Sequence, residues 1–359
     1  LCKVKVNNGE EMASTIGHQY QNLNTKGMAK TILVIGGAGY IGSHICKVLA
    51  KNGYSPVIID HNLKNKPWAD TFGPAFNLNL PIDLPQLGDI IKRYAIDTVI
   101  NLAAYTAVGE SVANPSKYYK NNLVMTLQLL DKLIELDVKK FVFSSSAAVY
   151  GIPEDKDGIC FDAEGNEKPI NPYGQTKLMV EKILRDYHKA HGLNSISLRY
   201  FNAAGADPDA EVGELRELET HIIPLAINAS LRGNEFNMFG DDYKTPDGTC
   251  VRDYIHVMDL ADAHIQAINL VGNGIDCNSF NLGSGIPTSN KQLLDSVKKF
   301  TGDFKINIKP RRPGDPDSLV ADISNTMKYL NWQPQLSSID KIVSTAVNWH
   351  KKANKKEIQ

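Results

Sequence analysis

Apolar positions recur along this chain with two different spacings. Residues 31–35, Thr-Ile-Leu-Val-Ile, make an almost unbroken apolar run, as a strand buried on both faces requires. Beyond a glycine-rich turn, Ile41, Ile45, Val48 and Leu49 return at helical spacing and predict a helix over 41–51. Strand-like runs follow at 56–60, 98–102, 140–144 and 195–200, with helical patterns at 115–136 and 172–190. Strands alternating with helices predict an α/β chain built on a doubly wound parallel sheet with right-handed crossovers.

The alternation degrades after about residue 203. Segments 203–217 and 240–251 are rich in Gly, Asp, Pro and Glu and read as loops. Helices are expected at 219–232, 258–270, 289–300 and 337–352, with His256 in a strand just before the second of them. Residues 28–202 thus read as the sheet domain. Residues 203–359 read as mainly a smaller, irregular α/β substrate-binding domain on the sheet's carboxyl edge, with some chain returning to the first domain. Residues 1–27 are polar, begin with Leu1 and lack both a secretory apolar core and an Arg-rich amphipathic face. They are expected to be a disordered extension or leader, with Met28 the natural start.

Composition narrows the partners. Lys+Arg 39 against Asp+Glu 40 leaves a net charge of -1 over 359 residues, so no global field favours nucleic acid or an anionic membrane. No apolar stretch approaches the roughly 18–20 residues needed to span a bilayer. Cys2, Cys46, Cys160, Cys250 and Cys277 are scattered without a Cys-x-x-Cys, which argues against a metal site or disulfide framework. Neither metal nor membrane partner is expected, and a reducing, cytoplasmic setting fits.

Two constellations carry chemistry. Gly36, Gly39 and Gly42 form a G-x-x-G-x-x-G between the first strand and first helix. Glycines there permit the tight turn and let main-chain N–H groups approach a pyrophosphate at the helix N-terminus, the Rossmann-type arrangement. Asp60, closing the second strand, would accept both ribose hydroxyls and would repel a 2′-phosphate, so NAD is expected over NADP. Alone, the glycine spacing equally suits an ordinary strand–helix turn.

Tyr173 and Lys177, at i and i+4 on one helix face, follow Asn171-Pro172, a helix start. Ser144-Ser145-Ser146 ends the strand before them, where doubly wound sheets gather ligands. An ammonium about 5 Å from the phenol, at an effective dielectric of about 20, contributes roughly 3 kcal/mol, or about 2.4 pK units. With a positive nicotinamide ring nearby, the phenol is expected near 7, where a general base works best.

These residues resemble the extended short-chain dehydrogenase/reductases. The blocks 37–44, 108–112, 143–151, 200–202 and 247–260 resemble the UDP-glucose 4-epimerase family in particular, over about Lys30 to Lys351. The resemblance implies Tyr173 as general base, Ser146 hydrogen-bonded to the sugar's 4′-oxygen, and Lys177 on the nicotinamide ribose. It implies cofactor contacts from Tyr40, Ile41, Asp60, Asn65, Leu102, Asn121 and Phe201. Asn202, Phe239, Arg252, Arg312, Asp315 and Leu319 are implied to hold a UDP-hexose, and the family implies a homodimer. Three positions depart from its pattern: Leu80 stands where an Asp usually contacts adenine, leaving Asp83 as a possible substitute; Thr106 replaces a Lys of some relatives; and Leu319 replaces a bulky Tyr.

The implied activity is interconversion of UDP-galactose and UDP-glucose through a 4-keto sugar. An epimerase for UDP-GlcNAc/UDP-GalNAc or for a uronic-acid nucleotide sugar stays open, as does another NAD-dependent nucleotide-sugar enzyme. Dehydration needs an acid and base after Ser146, where Ala147 and Ala148 transfer no protons. A non-catalytic NAD-sensing module would have no use for the Tyr–Lys pair. His44, His256, Trp68, Trp332 and Trp349 read as packing residues.

Overall fold

The computed structural model describes residues 30–64, 66–155, 157–162, 165–216, 219–312 and 315–357. The expectations for residues 1–27, for Met28 and for Asn65 lie outside the described residues.

Seven parallel strands form the main sheet. Their order is Cys277–Leu282, Asn194–Tyr200, Lys140–Ser146, Thr98–Asn101, Thr31–Ile35, Ser55–Asp60 and Ala75–Asn77. Strand order reverses between Thr31–Ile35 and Thr98–Asn101, and a crevice opens there at the strands' carboxyl ends. The apolar runs are buried on both faces. Ile32, Val34, Ile58, Ile100 and Val142 pack under Ile45, Leu49, Leu260 and Ile268. Their neighbours Leu33, Ile35, Val57, Val99, Phe141 and Phe143 pack under Leu87, Leu129, Leu133, Val180 and Leu184 on the other side. Helices on both faces therefore follow from strands that carry apolar residues on both sides.

The helix expected at 115–136 is helical throughout but passes through a π-turn, Tyr119–Val124, between Pro115–Tyr118 and Met125–Glu135. The one expected to start at 219 runs Ile222–Arg232. Glu219 explains the delay, because its carboxylate accepts the N–H groups of Thr220 and His221 and holds that stretch outside the helix. Strand Cys277–Leu282 escapes the apolar pattern because Asn278, Ser279 and Asn281 interrupt it. Asn281 instead donates to the Cys160 and Asp322 carbonyls and accepts from the Tyr150 hydroxyl.

The rest of the chain carries a five-stranded sheet centred on Val251–His256, with Asn202–Ala204, Pro287–Ser289, Ser318–Ala321 and Ile159–Cys160. The loop expected from 203 thus begins only after Ala204. A further pair, Phe236–Phe239 with Ile306–Lys309, flanks an apolar core where helices Ile222–Arg232, Asn290–Thr301 and Ile339–Glu357 meet. No described helix is long and apolar enough to cross a membrane.

Candidate active site

The glycine turn is built to close tolerances. A Cβ on Gly42 would meet the Gly36 carbonyl oxygen at 2.2 Å, so the first helical turn lies directly against the end of the first strand. The helix Tyr40–Lys51 is capped by Gly39 with no side-chain hydrogen bond, which leaves its first-turn N–H groups facing the crevice. Trp68 donates its indole N–H to the Ala38 carbonyl at 3.0 Å and steadies the turn. Tyr40 donates to the Gly205 carbonyl at 2.6 Å, fastening the helix start to the loop after Asn202–Ala204. Asp60 accepts the N–H groups of Ala38 and Asn62, each at 3.2 Å. A glycine cradle that a Cβ would fill, an uncapped helix start and an adjacent carboxylate fit a dinucleotide.

The hydroxyl strand end and the Pro172–His191 helix form a second wall of the cleft. Asn171 caps that helix by accepting the Gly174 N–H at 2.8 Å, and Pro172 occupies its first position. A Cβ on Gly174 would meet the Ala148 carbonyl at 2.3 Å, so the helix start is pressed against the turn Ala147–Val149. This contact brings Tyr173 to Ser146. The Ser146 hydroxyl accepts the Ala148 N–H at 3.2 Å and hydrogen-bonds the Tyr173 phenol. Lys177 donates to the Ser144 carbonyl at 2.6 Å and hydroxyl at 3.3 Å, with its Nζ 5.9 Å from the Tyr173 ring centre.

The electrostatics correct the expected phenol. Burial raises the Tyr173 pKa above its ordinary value, and the Ser146 hydrogen bond only works against this. Burial also lowers the Lys177 pKa to about 7, opposed by the Glu181 charge. Desolvation of each group outweighs the attraction that their spacing alone suggests.

Two cavities sharing a wall meet here. A cleft of about 470 Å³ is lined by Gly36, Gly39, Tyr40, Ile41, Gly42, Leu102, Ser146, Tyr173, Lys177, Phe201 and Asn202. The second, of about 240 Å³, is lined by Asn202, Phe239, Arg252, Arg312 and Asp315. Asn202, Ala203, Glu214 and His221 belong to both. The Arg312 guanidinium lies 4.2 Å from the Phe239 ring centre. Arg252 donates to the Val251 and Pro316 carbonyls and lies 3.6 Å from Asp315.

Asp60, Asn121 and Leu319 line neither cavity. Asn121 donates to Asn122. Leu319 pairs with Arg252 across the second sheet and packs beside Phe201 and Tyr150. Leu80 packs into the main core, while Asp83 accepts the Asn79 N–H at 2.7 Å and closes its own loop. Thr106 lines the cleft. His44 and His256 are internal: His44 bonds the Tyr40 carbonyl and accepts the Asp207 N–H, and His256 caps the helix Val257–Leu270. Trp332 and Trp349 donate to the Asp259 and Glu214 carbonyls from buried positions.

Sequence reasoning missed Tyr200, Glu214, Arg216 and His221 on the cleft wall, and Cys250, Tyr254 and Asn290 in the second cavity. The Tyr200 position was legible as the strand end next to Ser146, which it pairs with in register. Glu214, Arg216 and Cys250 sit on segments without periodicity, while His221, Tyr254 and Asn290 sit in expected or regular elements whose pattern does not mark them as site residues. Glu214, Glu219 and His221 bring ligand-type atoms within 4.8 Å of one another. Their contacts with each other and with Arg216, 2.6 Å from Glu214, account for the cluster without a cation.

Comparison with known proteins agrees with this geometry. The chain is 45% identical over 325 residues to a UDP-glucose 4-epimerase of Rhizobium meliloti (strain 1021), covering 90% of this chain and 98% of that one. The crystal structure of a UDP-glucose 4-epimerase from Brucella ovis in complex with NAD superposes with a TM-score of 0.83 at 42% identity, covering 89% of this chain and 98% of that one. A UDP-glucose 4-epimerase from Bifidobacterium longum, in complex with NAD+ and UDP, gives 0.83 at 36% identity, with coverage of 90% and 99%. Residues 32–283 match the pattern of the NAD dependent epimerase/dehydratase family, and the chain belongs to that family.

Proposed function

We propose that this chain interconverts UDP-galactose and UDP-glucose as a UDP-glucose 4-epimerase, with NAD as its resident cofactor. The observation that carries the reading is the convergence of Ser146, Tyr173 and Lys177 on a cleft that shares a wall with an arginine-lined cavity. Gly36, Gly39, Tyr40, Ile41 and Gly42 would hold the dinucleotide's phosphates, with Asp60 on the adenosine ribose and Leu102, Asn121 and Phe201 beside it. NAD held there would supply reversible hydride transfer at C4 of the sugar.

The protein's own part is grip and proton transfer. Tyr173 takes the 4′-hydroxyl proton and gives it back, while Ser146 holds the same oxygen. Lys177 holds the nicotinamide ribose and supplies a positive charge beside the phenol. Arg252 and Arg312 are forks for a diphosphate, with Asn202, Phe239 and Asp315 around the nucleotide. A firm hold on the diphosphate lets the 4-keto sugar turn over between the two hydride transfers. Leu319 stands where the family has a bulky Tyr, so N-acetylated sugars belong in the same assay.

A homodimer is part of this reading. Val108, Val112, Val124 and Leu127 are exposed on consecutive helical segments, and light scattering tests whether they meet a second copy. A cytoplasmic location is likewise proposed, on the scattered cysteines and balanced charge. The deciding experiment incubates the purified protein with UDP-galactose and no added NAD. UDP-glucose forms if the reading holds; its absence on NAD-replete protein refutes it.

A further inference from the structure

We propose that Glu181 is a positioning residue for the Tyr173–Lys177 pair, clamped by three strands of the main sheet so that a negative charge stands one helical turn behind Lys177. This rests on the reading of the cleft given above.

The geometry is unusual for a carboxylate at the back of a helix. Tyr173, Lys177 and Glu181 follow at i, i+4 and i+8, so all three lie along one face of Pro172–His191. Glu181 is 2% exposed. Ser145 donates to Glu181 Oε1 at 2.5 Å. Arg199 donates Nε to Oε1 at 3.0 Å and Nη2 to Oε2 at 2.7 Å, a two-pronged fork. Ser279 donates to Oε2 at 3.3 Å. The donors thus come from Lys140–Ser146, Asn194–Tyr200 and Cys277–Leu282, three neighbouring strands.

The clamp serves the site in two ways. Ser145 sits between Ser144, which accepts from Lys177, and Ser146, which bonds Tyr173. Fixing Ser145 to Glu181 ties the reactive strand end and the reactive helix into one body. The second effect is electrostatic. Burial works against a charged Lys177, and Glu181 is the charge that opposes it. Facing the pair from other elements are Ser144, Ser146, Tyr200 and Tyr118, all neutral in the working range. Behind Glu181, Arg199 is shared with Glu167 and Tyr150, so its charge is divided between two carboxylates.

Pure core packing would explain a buried Glu–Arg pair equally well, and the test separates the two. In Glu181→Gln the amide keeps the shape and removes the charge. The expected result is a kcat reduced about tenfold with KM within about twofold, since positioning acts on the reacting groups and leaves substrate grip alone. The alkaline limb of the kcat profile moves to lower pH by about one unit. Ser145→Ala keeps every charge and removes one tether; it is expected to lower kcat about threefold without moving the limb.

A folded Glu181→Gln with the wild-type pH profile overturns the proposal. Where that variant does not fold, an unchanged kcat in Ser145→Ala overturns it instead. Wild-type protein without epimerase turnover sinks the functional reading, whereas active wild type with unmoved variants sinks only the role of Glu181.

Discussion

The Lys177 ammonium donates to the Ser144 main-chain carbonyl at 2.6 Å, deep enough that the side chain is almost without solvent. The cost of that burial has a definite pH dependence. Its pKa falls from 10.5 to about 7 in the folded chain, with desolvation the largest cause. A group so depressed contributes stability that is present above 10.5 and lost as pH falls through 7. At pH 6 the folded chain therefore carries a buried charge worth on the order of 5 kcal/mol. Lys177→Met is expected to raise the melting temperature of ligand-free protein at pH 6 by several degrees, with the gain shrinking as pH climbs toward 10. The same variant should lose about a hundredfold in turnover. Calorimetry over a pH series checks this, and a pH-independent difference in melting temperature would count against it.

Tyr173 is the group expected to move the proton, and Phe in its place keeps the ring while removing the hydroxyl. The buried ring continues to pack, since only 8% of the residue is exposed. Tyr173→Phe is expected to cut kcat by about 10³ or more, within reach of general acid–base catalysis. NAD binding by fluorescence and UDP binding by calorimetry should stay within about twofold. Normal turnover in this variant would remove Tyr173 from the mechanism.

Most of the main sheet was legible from residues, because a strand covered on both faces presents consecutive apolar residues, as positions 32–35 and 99–100 do. Cys277–Leu282 was not, since its Asn281 satisfies a buried polar network that no local pattern announces. The Tyr–Lys spacing and the serine run were readable for a similar local reason: one helix face and one strand end bring them together. Their electrostatics were not readable, because desolvation depends on what the rest of the fold places over them. The wall at Glu214, Arg216 and His221 was hidden too, as it lies on an irregular segment tied by ion pairs among its own residues and by the Trp349 indole donating to the Glu214 carbonyl.

The contact between Gly174 and the Ala148 carbonyl gives a way to displace Tyr173 without altering it. An added Cβ would stand 2.3 Å from that oxygen, which is main chain and cannot swing aside. Gly174→Ala should force the helix start off the Ala147–Val149 turn and lengthen the Tyr173–Ser146 hydrogen bond. Misplacement on the scale of an ångström is expected to cost about 10² in kcat. A melting temperature lowered by several degrees should accompany it. Gly192→Ala provides the contrast: its φ is +67 but nothing lies within 4 Å, so it should lower stability modestly and leave kcat alone. Equal kcat losses in both variants would show that the close contact is not what matters.

Asp60 tests the cofactor side independently of turnover. Its carboxylate is already held by the Ala38 and Asn62 N–H groups, at 3.2 Å each, which orients it at the end of its strand. Replacing it by serine removes the negative charge that a 2′-phosphate would meet. Asp60→Ser should weaken NAD about tenfold or more while narrowing the preference over NADP. Fluorescence titration of cofactor-stripped protein with each dinucleotide reads both effects. An unchanged ratio of the two affinities would move the ribose contact elsewhere.

Three internal histidines set the acid limit of stability. Burial holds His44 and His264 at pKa values of about 4 and His256 at about 3, all below the ordinary 6.5. Each stays neutral in the folded chain while its unfolded counterpart takes up a proton. The stability they contribute is thus complete above 6.5 and lost as pH falls toward 4. Within that window each removes about 1.4 kcal/mol per pH unit, so together they remove about 4. The denaturant midpoint should therefore drop steeply between pH 6 and 5, before most carboxylates titrate. His264 bonds the Leu260 carbonyl and the Tyr200 hydroxyl, and Tyr200 lines the cleft. His264→Gln removes one of the three protonations and should flatten the slope by about a third, whatever it does to the midpoint at pH 7. If the slope in His264→Gln matches the wild type, protonation of this histidine does not drive acid unfolding, and carboxylates must account for it.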